Sequence, residues 1–486
     1  MSSGYTSPYS SAYTSPYLFI GGERLSAEGR DTRPVINPAT GETLAETPMA
    51  SKADLDHALE AAAKGFAAWR SVSAYDRCHI MKRAADLIRE RTEEIAVVLT
   101  LEQGKVLAEA RAEVSTAADV IEWYGEEGKR AYGRVIPSRV AGGRQIVLRQ
   151  PVGPVVAFPP WNFPALAPAR KIGGSLGAGC SCIIKPSQET PATALAVARA
   201  LDDAGLPKGA LNVVHGMSAP ISEHLLASPI IRKLTFTGST AVGKHLVKLA
   251  ADGVKRVTME LGGHAPVVIF DDVEVESTAA LAAASKWRNA GQVCVSPTRF
   301  YVQERVYDRF VEHFLAATRA VVVGNGLDEK SKMGPVINSR RIGTVLDFIE
   351  DARRRGTTVA AGGNRIDGRG FYLEPTVLTH VAADARIMKE EPFGPVAAIL
   401  PFHDLEDGIA AANQLPFGLA AYAFTTSAKR AVAIGDALEA GVIGINTYAV
   451  STSETPFGGM KESGYGSEGG IEGLDAYMTT KFINQL

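Results

Sequence analysis

Phe236-Thr237-Gly238-Ser239-Thr240-Ala241-Val242-Gly243 leaves a β-rich run, Leu234-Thr-Phe236, and enters a helical one over residues 244–251. A strand that turns through glycine into a helix lets backbone approach a ligand closely, and the unpaired N–H groups at the helix start suit a pyrophosphate. The stretch departs from the Gly-x-Gly-x-x-Gly dinucleotide fingerprint, and alone such a turn is usually only a turn. Its surroundings raise it. Short β-rich runs alternate with helical stretches on both sides: Val155-Val-Ala-Phe158, Cys182-Ile-Ile184, Leu211-Asn-Val-Val214, Val257-Thr-Met259 and Val267-Val-Ile269. That alternation argues for an α/β fold with a parallel, doubly wound, Rossmann-like sheet. From about 261 to 450 the pattern repeats, with Phe300-Tyr-Val302 and Ala397-Ala-Ile-Leu400, so a second α/β domain is expected, with the site in the cleft between the two.

At 486 residues the chain exceeds one ordinary core. Its 51 basic and 53 acidic residues leave a formal charge of −2, which gives no support to a nucleic-acid or membrane-surface role. Apolar runs are short and interrupted, so no membrane-spanning helix is expected. The four cysteines, Cys78, Cys180, Cys182 and Cys294, are too few for a disulfide framework; Cys180-Ser-Cys182 lacks a metal-site gap and reads as core. No metal is expected, and a cytoplasmic setting fits best.

Residues 1–17 carry Tyr-Thr-Ser-Pro-Tyr twice and read as a mobile tail without the marks of a signal peptide. Ser51-Lys-Ala-Asp54 is a capping box before a helix whose apolar face is Leu55, Leu59, Ala62, Phe66 and Trp69. Helices continue over 76–132, where Trp123-Tyr124 is expected in the core. Val135-Ile136 and Ile146-Val-Leu148 flank Ala141-Gly-Gly143 as a hairpin, which is marginal alone and needs a partner edge.

One thiol stands apart. In Lys286-Trp-Arg-Asn-Ala-Gly-Gln-Val-Cys294-Val-Ser-Pro-Thr-Arg299 an alanine-rich helical run ends, and Ala290-Gly-Gln292 lets the backbone turn tightly and hold an amide near the sulfur. A lone cysteine more often simply packs. Its company decides otherwise: Pro160-Trp-Asn-Phe-Pro164, Lys185-Pro-Ser-Gln188, Phe236-Thr-Gly-Ser239, Glu260-Leu-Gly-Gly263, Gly291-Gln-Val-Cys294, Glu391-Pro-Phe-Gly-Pro395 and Pro456-Phe-Gly-Gly459. With these seven motifs in family order, the chain resembles the aldehyde dehydrogenase superfamily from about residue 18 onward.

The resemblance implies a Rossmann-like cofactor domain over 18–132 and 151–260, a catalytic domain over 261–456, and an oligomerisation element of 133–150 with 470–486, in a homodimer or homotetramer. It implies that Cys294 adds to the aldehyde carbon as nucleophile, that Asn162 and the Cys294 amide hold the oxyanion, and that Glu260 activates the deacylating water. A carboxylate is costly in an apolar run such as the one before Glu260, which supports a purpose for it. For NAD or NADP it implies Lys185, Ser187 and Gln188 at the adenosine ribose, Trp161, Gly238, Ser239 and Val242 along the phosphates, Glu391 at the nicotinamide ribose and Phe393 near the ring. Gln188 stands where NAD-preferring relatives carry Glu, so the charge that repels a 2′-phosphate is missing and NADP should be tolerated. Pro159 replaces a common Thr, at the loss of one N–H. Ser296 stands where some relatives place a second cysteine, so that redox pair is not available.

For the substrate, Arg170 and Arg288 match the two arginines that bind a distal carboxylate in the semialdehyde branch, and a guanidinium fork suits a carboxylate. Phe163, Phe457 and Ser451 complete the expected pocket, with Thr452 the rival of Ser451 if the alignment slips by one. Succinate, glutarate and 2-oxoglutarate semialdehydes are the candidate substrates. Two other readings compete: a general or aromatic aldehyde dehydrogenase without carboxylate selection, and an inactive structural or binding protein on the same fold.

Overall fold

The computed structural model describes residues 13–486. An eight-stranded sheet runs in the order Glu23–Leu25, Leu18–Ile20, Leu211–Val213, Cys182–Ile184, Val155–Phe158, Lys233–Thr237, Arg256–Glu260, Gly464–Tyr465. The five central strands are parallel, and the chain starts from the middle one, Val155–Phe158, building first to one side and then to the other. Between Val155–Phe158 and Lys233–Thr237 the strand order therefore reverses, and a crevice opens at the carboxyl ends of the strands on either side. The four-residue strand Val155–Phe158 is fully buried, as a strand covered by helices on both faces must be.

A second sheet, Thr358–Ala361, Thr376–Thr379, Val396–Phe402, Arg299–Gln303, Pro266–Ile269, Ala420–Phe424 and Val442–Ile445, is parallel except for its first strand. Its core gathers Phe300, Phe310, Phe314, Trp287 and Phe348. A third sheet joins the hairpin Arg134–Pro137 and Arg144–Pro151 to the C-terminal strand Met478–Gln485. The hairpin thus finds its partner edge eight residue pairs long, from Met478 opposite Pro151 to Gln485 opposite Arg144.

The capping box at Ser51 and Asp54 forms in both directions and starts the helix Lys52–Ser71, burying Leu55, Leu59, Ala62 and Trp69. Tyr124 is buried in the first core and Trp123 packs against it. Three expectations change. Of the 1–17 tail, residues 1–12 lie outside the described residues, but 13–17 pack onto the body: Pro16 is buried and the Tyr13 hydroxyl donates to Glu102 Oε2 at 2.8 Å. The helix expected over 244–251 begins at Thr240, with Ser239 as its N-cap, so Gly243 lies inside it. A Cβ there would come within 2.3 Å of Leu261 Cδ2, so this glycine serves helix-to-strand packing and not the turn. Finally, Val267-Val-Ile269, grouped in sequence with the strands of the first sheet, lies in the second as Pro266–Ile269, and the segment after Pro456 returns to the first sheet, where Gly464 pairs with Glu260 and Tyr465 with Met259.

Candidate active site

A cavity of about 450 Å³ opens at the carboxyl ends of the strands Val155–Phe158, Lys233–Thr237 and Arg256–Glu260. Trp161, Asn162 and Phe163 follow the first of these strands, Gly238 and Ser239 the second, and Glu260 ends the third; all of them line it. The second half of the chain adds Arg288, Cys294, Glu391, Phe393, Ser451 and Phe457.

Cys294 follows a kinked turn in which Asn289, Ala290 and Gly291 take φ of 49°, 51° and 69°. Two consecutive non-glycine residues in the left-handed region cost of order 1–3 kcal/mol each and need outside support. Asn289 has it: its N–H donates to Glu109, its side-chain amide donates to Asn162 O at 3.1 Å, and its Oδ1 accepts from Gln103 at 2.9 Å. Gly291 is required where it is, since a Cβ would lie 2.1 Å from Gly394 O. The other wall is tied down by a buried ion pair. Lys105 Nζ meets Glu113 at 2.5 Å, donates to Asn162 O at 2.8 Å and lies 4.2 Å from the Phe163 ring centroid, while Glu113 accepts the N–H groups of Ala165 and Leu166. The Asn162 side chain donates to Gln292 O at 3.0 Å, which puts its amide beside the segment that carries the thiol.

At one end of the cavity Arg170, 7% exposed, stacks 4.4 Å from the Phe457 ring centroid and donates to Ser451 Oγ. Ser451, and not its rival, faces the guanidinium; Thr452 bonds to Thr455. Arg288 lies 5.6 Å from the Phe163 ring centroid. At the other end Phe393, held at φ 44°, meets Trp161 edge-on at 5.5 Å. Lys185, Ser187, Gln188 and Val242 do not line the cavity. Lys185 is buried, with Nζ on Pro186 O, Ser187 bonds to Glu189, and Val242 stands 47% exposed. Gln188 donates to Gly216 O and accepts from Arg33 at 2.7 Å.

Residues 25–483 match the Aldehyde dehydrogenase family. This chain belongs to it. A 4-(hydroxymethyl)benzenesulfonate dehydrogenase of Comamonas testosteroni is 48% identical over 96% of this chain and 98% of its own length. An NADP(+) succinate-semialdehyde dehydrogenase of Escherichia coli is 43% identical, covering 96% of each chain. A crystal structure of succinate-semialdehyde dehydrogenase from Burkholderia pseudomallei superposes with a TM-score of 0.95 at 43% identity over 99% of both chains. The protein is thus an aldehyde dehydrogenase, a family that works with NAD or NADP. Among its described residues no helix is long and apolar enough to cross a membrane.

The electrostatics of this dehydrogenase show a site at rest. Burial, then Glu391, pushes the Cys294 thiol up to about 12, so at neutral pH the sulfur is held as thiol. Burial, then the neighbouring Glu468, holds the Glu260 carboxyl well above the usual carboxylate range, and neither Glu260 oxygen has a hydrogen-bond partner. Glu391 is raised to about 8 by burial.

Sequence reasoning missed Lys171 and Glu468. Lys171 Nζ meets Glu468 Oε1 at 2.6 Å and Thr237 Oγ1 at 2.8 Å, forming a buried pair next to Glu260. One signal was available: a lysine inside Leu166-Ala-Pro-Ala-Arg-Lys-Ile-Gly-Gly, a helix too apolar to carry an unpartnered charge. Glu468 gave none, because its partner lies 297 positions away. His264, on which the sequence suggested nothing, is buried with Nε2 2.7 Å from Ile387 O.

Proposed function

We propose that this enzyme oxidises an aldehyde bearing a distal anionic group, an ω-carboxylated semialdehyde in the first instance, to the corresponding acid with NAD or NADP. The observation that carries this is the placing of Arg170, Ser451 and Arg288 in the same cavity as Cys294 and Glu260. Cys294 gives up its thiol proton to solvent water and adds to the carbonyl carbon as thiolate; the Asn162 amide and the Cys294 N–H receive the oxyanion, and Glu260 later takes a proton from water attacking the thioester. Bound NAD(P) would accept the hydride. The residues present fit it: the helix Thr240–Ala251 has no side-chain cap hydrogen bond on its first N–H groups, and Gly262 leaves room where a Cβ would meet Glu391 Oε2 at 2.7 Å. Trp161, Gly238 and Ser239 would flank the phosphates, Glu391 and Phe393 the nicotinamide end, and Lys185, Ser187 and Gln188 the adenosine ribose, with Val242 on the first turn of the same helix. In the same reading residues 18–132 and 151–260 form the cofactor domain, 261–456 the catalytic domain, and 133–150 with 470–486 the assembly element of a cytoplasmic homodimer or homotetramer. Val135, Phe482 and Leu486 on that element are exposed apolar side chains suited to such a contact.

The clamp is tested on substrates with and without the anion. Arg170 is buried, so losing its charge-assisted bond should cost roughly 1.5–3 kcal/mol, about 10- to 150-fold in kcat/KM. Arg170 also favours the ionised forms of Cys294 and Glu260, so Arg170→Ala should slow every aldehyde. Arg288 is the cleaner probe. It is exposed, so Arg288→Ala is expected to cost nearer the lower figure, mainly in KM, on succinate semialdehyde and little on an uncharged aldehyde of equal length. Equal losses on both would favour a general aldehyde dehydrogenase. A second reading has its own support: two aromatic rings, Phe163 and Phe457, stack with the arginines, and the Comamonas relative is named for a benzenesulfonate. An aryl aldehyde sulfonate would use the same guanidinium groups, and kcat/KM on 4-formylbenzenesulfonate against succinate semialdehyde separates the two.

For cofactor choice, Gln188→Glu is expected to lower the NADP-to-NAD ratio of kcat/KM about fivefold, the worth of roughly 1 kcal/mol between charges near solvent. Arg33, bonded to Gln188, puts a cation there, so Arg33→Ala should lower the ratio as well. An unchanged ratio in both variants would place the 2′-phosphate elsewhere.

A further inference from the structure

Three guanidinium groups line the cavity, and two belong to the clamp. The third, Arg341, has no role in what precedes. It lies in the first turn of the helix Ser339–Arg354, whose cap Asn338 accepts the Arg341 N–H at 3.0 Å, so its backbone is fixed while its side chain reaches inward. The guanidinium stands 5.5 Å from the Phe393 ring centroid, and Phe393 in turn meets Trp161. The Arg341 side chain makes one long hydrogen bond, Nη1 to Pro392 O at 3.5 Å, and feels the charge of Glu391, with which it forms no ion pair. A half-buried guanidinium with most of its five donors unspent is suited to an anion with several acceptor oxygens.

We propose that Arg341 binds the pyrophosphate of the dinucleotide, closing over it from the side opposite the helix Thr240–Ala251. This rests on the cofactor placement given above. A helix N-terminus supplies about half a positive charge, whereas the pyrophosphate carries two negative ones, so a fixed cation across the cleft completes the balance. The Arg341 fork would then hold the cofactor's middle while Glu391 holds its nicotinamide end, which makes Arg341 a positioning residue for hydride transfer.

The test compares the full chain with Arg341→Met, which keeps an apolar stem against Phe393, and with Arg341→Lys, which keeps the charge. Dissociation constants for NADP and for ADP-ribose, which has the pyrophosphate and no nicotinamide, are measured by calorimetry at low and high salt. Arg341→Met should weaken both ligands about tenfold or more and flatten their salt dependence, and Arg341→Lys should recover most of the loss. Thermal unfolding without ligand checks that both variants are folded, and Arg341→Gln stands in if the Met variant is not. Unchanged constants in the neutral variant, or equal losses in the Lys and neutral variants, would overturn the assignment. A wild-type protein that bound neither ligand would instead remove the cofactor placement itself.

Discussion

Replacing Cys294 by Ala is expected to lower aldehyde oxidation by more than about 10⁴-fold while NADP still binds, because the covalent adduct has no second nucleophile to form on. Cys78, Cys180 and Cys182 are buried, and only Cys294 is partly accessible. In the proposed placement the cofactor lies against other elements, Trp161, Gly238 and Ser239, so its binding should be untouched. The resting thiol adds a second readout. Since burial raises it to about 12, alkylation of Cys294 by iodoacetamide in the cofactor-free enzyme should keep rising from pH 7 through pH 10 without a plateau. A plateau near pH 8 would mean that some group on the enzyme already ionises the thiol at rest. Appreciable turnover in Cys294→Ala would remove Cys294 from the reaction.

The second large effect belongs to Glu260. Glu260→Gln keeps the side chain's size but removes the base, so steady-state turnover should drop roughly 10²- to 10⁴-fold, the usual worth of a positioned general base. Hydride transfer precedes deacylation, so the variant should still give a burst of about one reduced cofactor per active site. Loss of the burst together with turnover would move Glu260 to an earlier step, such as thiol activation. The structure makes both outcomes meaningful: Glu260 lines the same cavity as Cys294 and neither of its oxygens is engaged. Burial and then Glu468 hold its carboxyl well above the usual carboxylate range, with Lys171 and Arg170 opposing. Activity should accordingly rise with pH over a range above that of an ordinary carboxylate, since the base works only when ionised.

Much of the site was legible in the chain. Period and punctuation alone marked the central strands from Val155–Phe158 to Pro266–Ile269, because buried parallel strands are short apolar runs bounded by turn residues. Local rules also found the capping box at Ser51 and the tight turn before Cys294, where only neighbouring residues take part. The motifs of the family resemblance named Asn162, Glu260 and Cys294, and the fold brings all three to one cavity.

What only the tertiary structure decided involves residues far apart in the chain. Lys171 and Glu468 pair across 297 positions, Arg33 reaches Gln188 across 155, and Arg341 enters the cavity from a helix with no motif of its own. The docking of Tyr13 on Glu102 is of the same kind. The choice of Ser451 over Thr452 likewise needed the position of Arg170, which sits on another segment. The physical reason is common to all of them. Periodicity and turn chemistry are set by neighbours in sequence, whereas an ion pair or a cavity wall is set by which segments the packed sheets bring together, and pairwise sequence spacing carries no record of that.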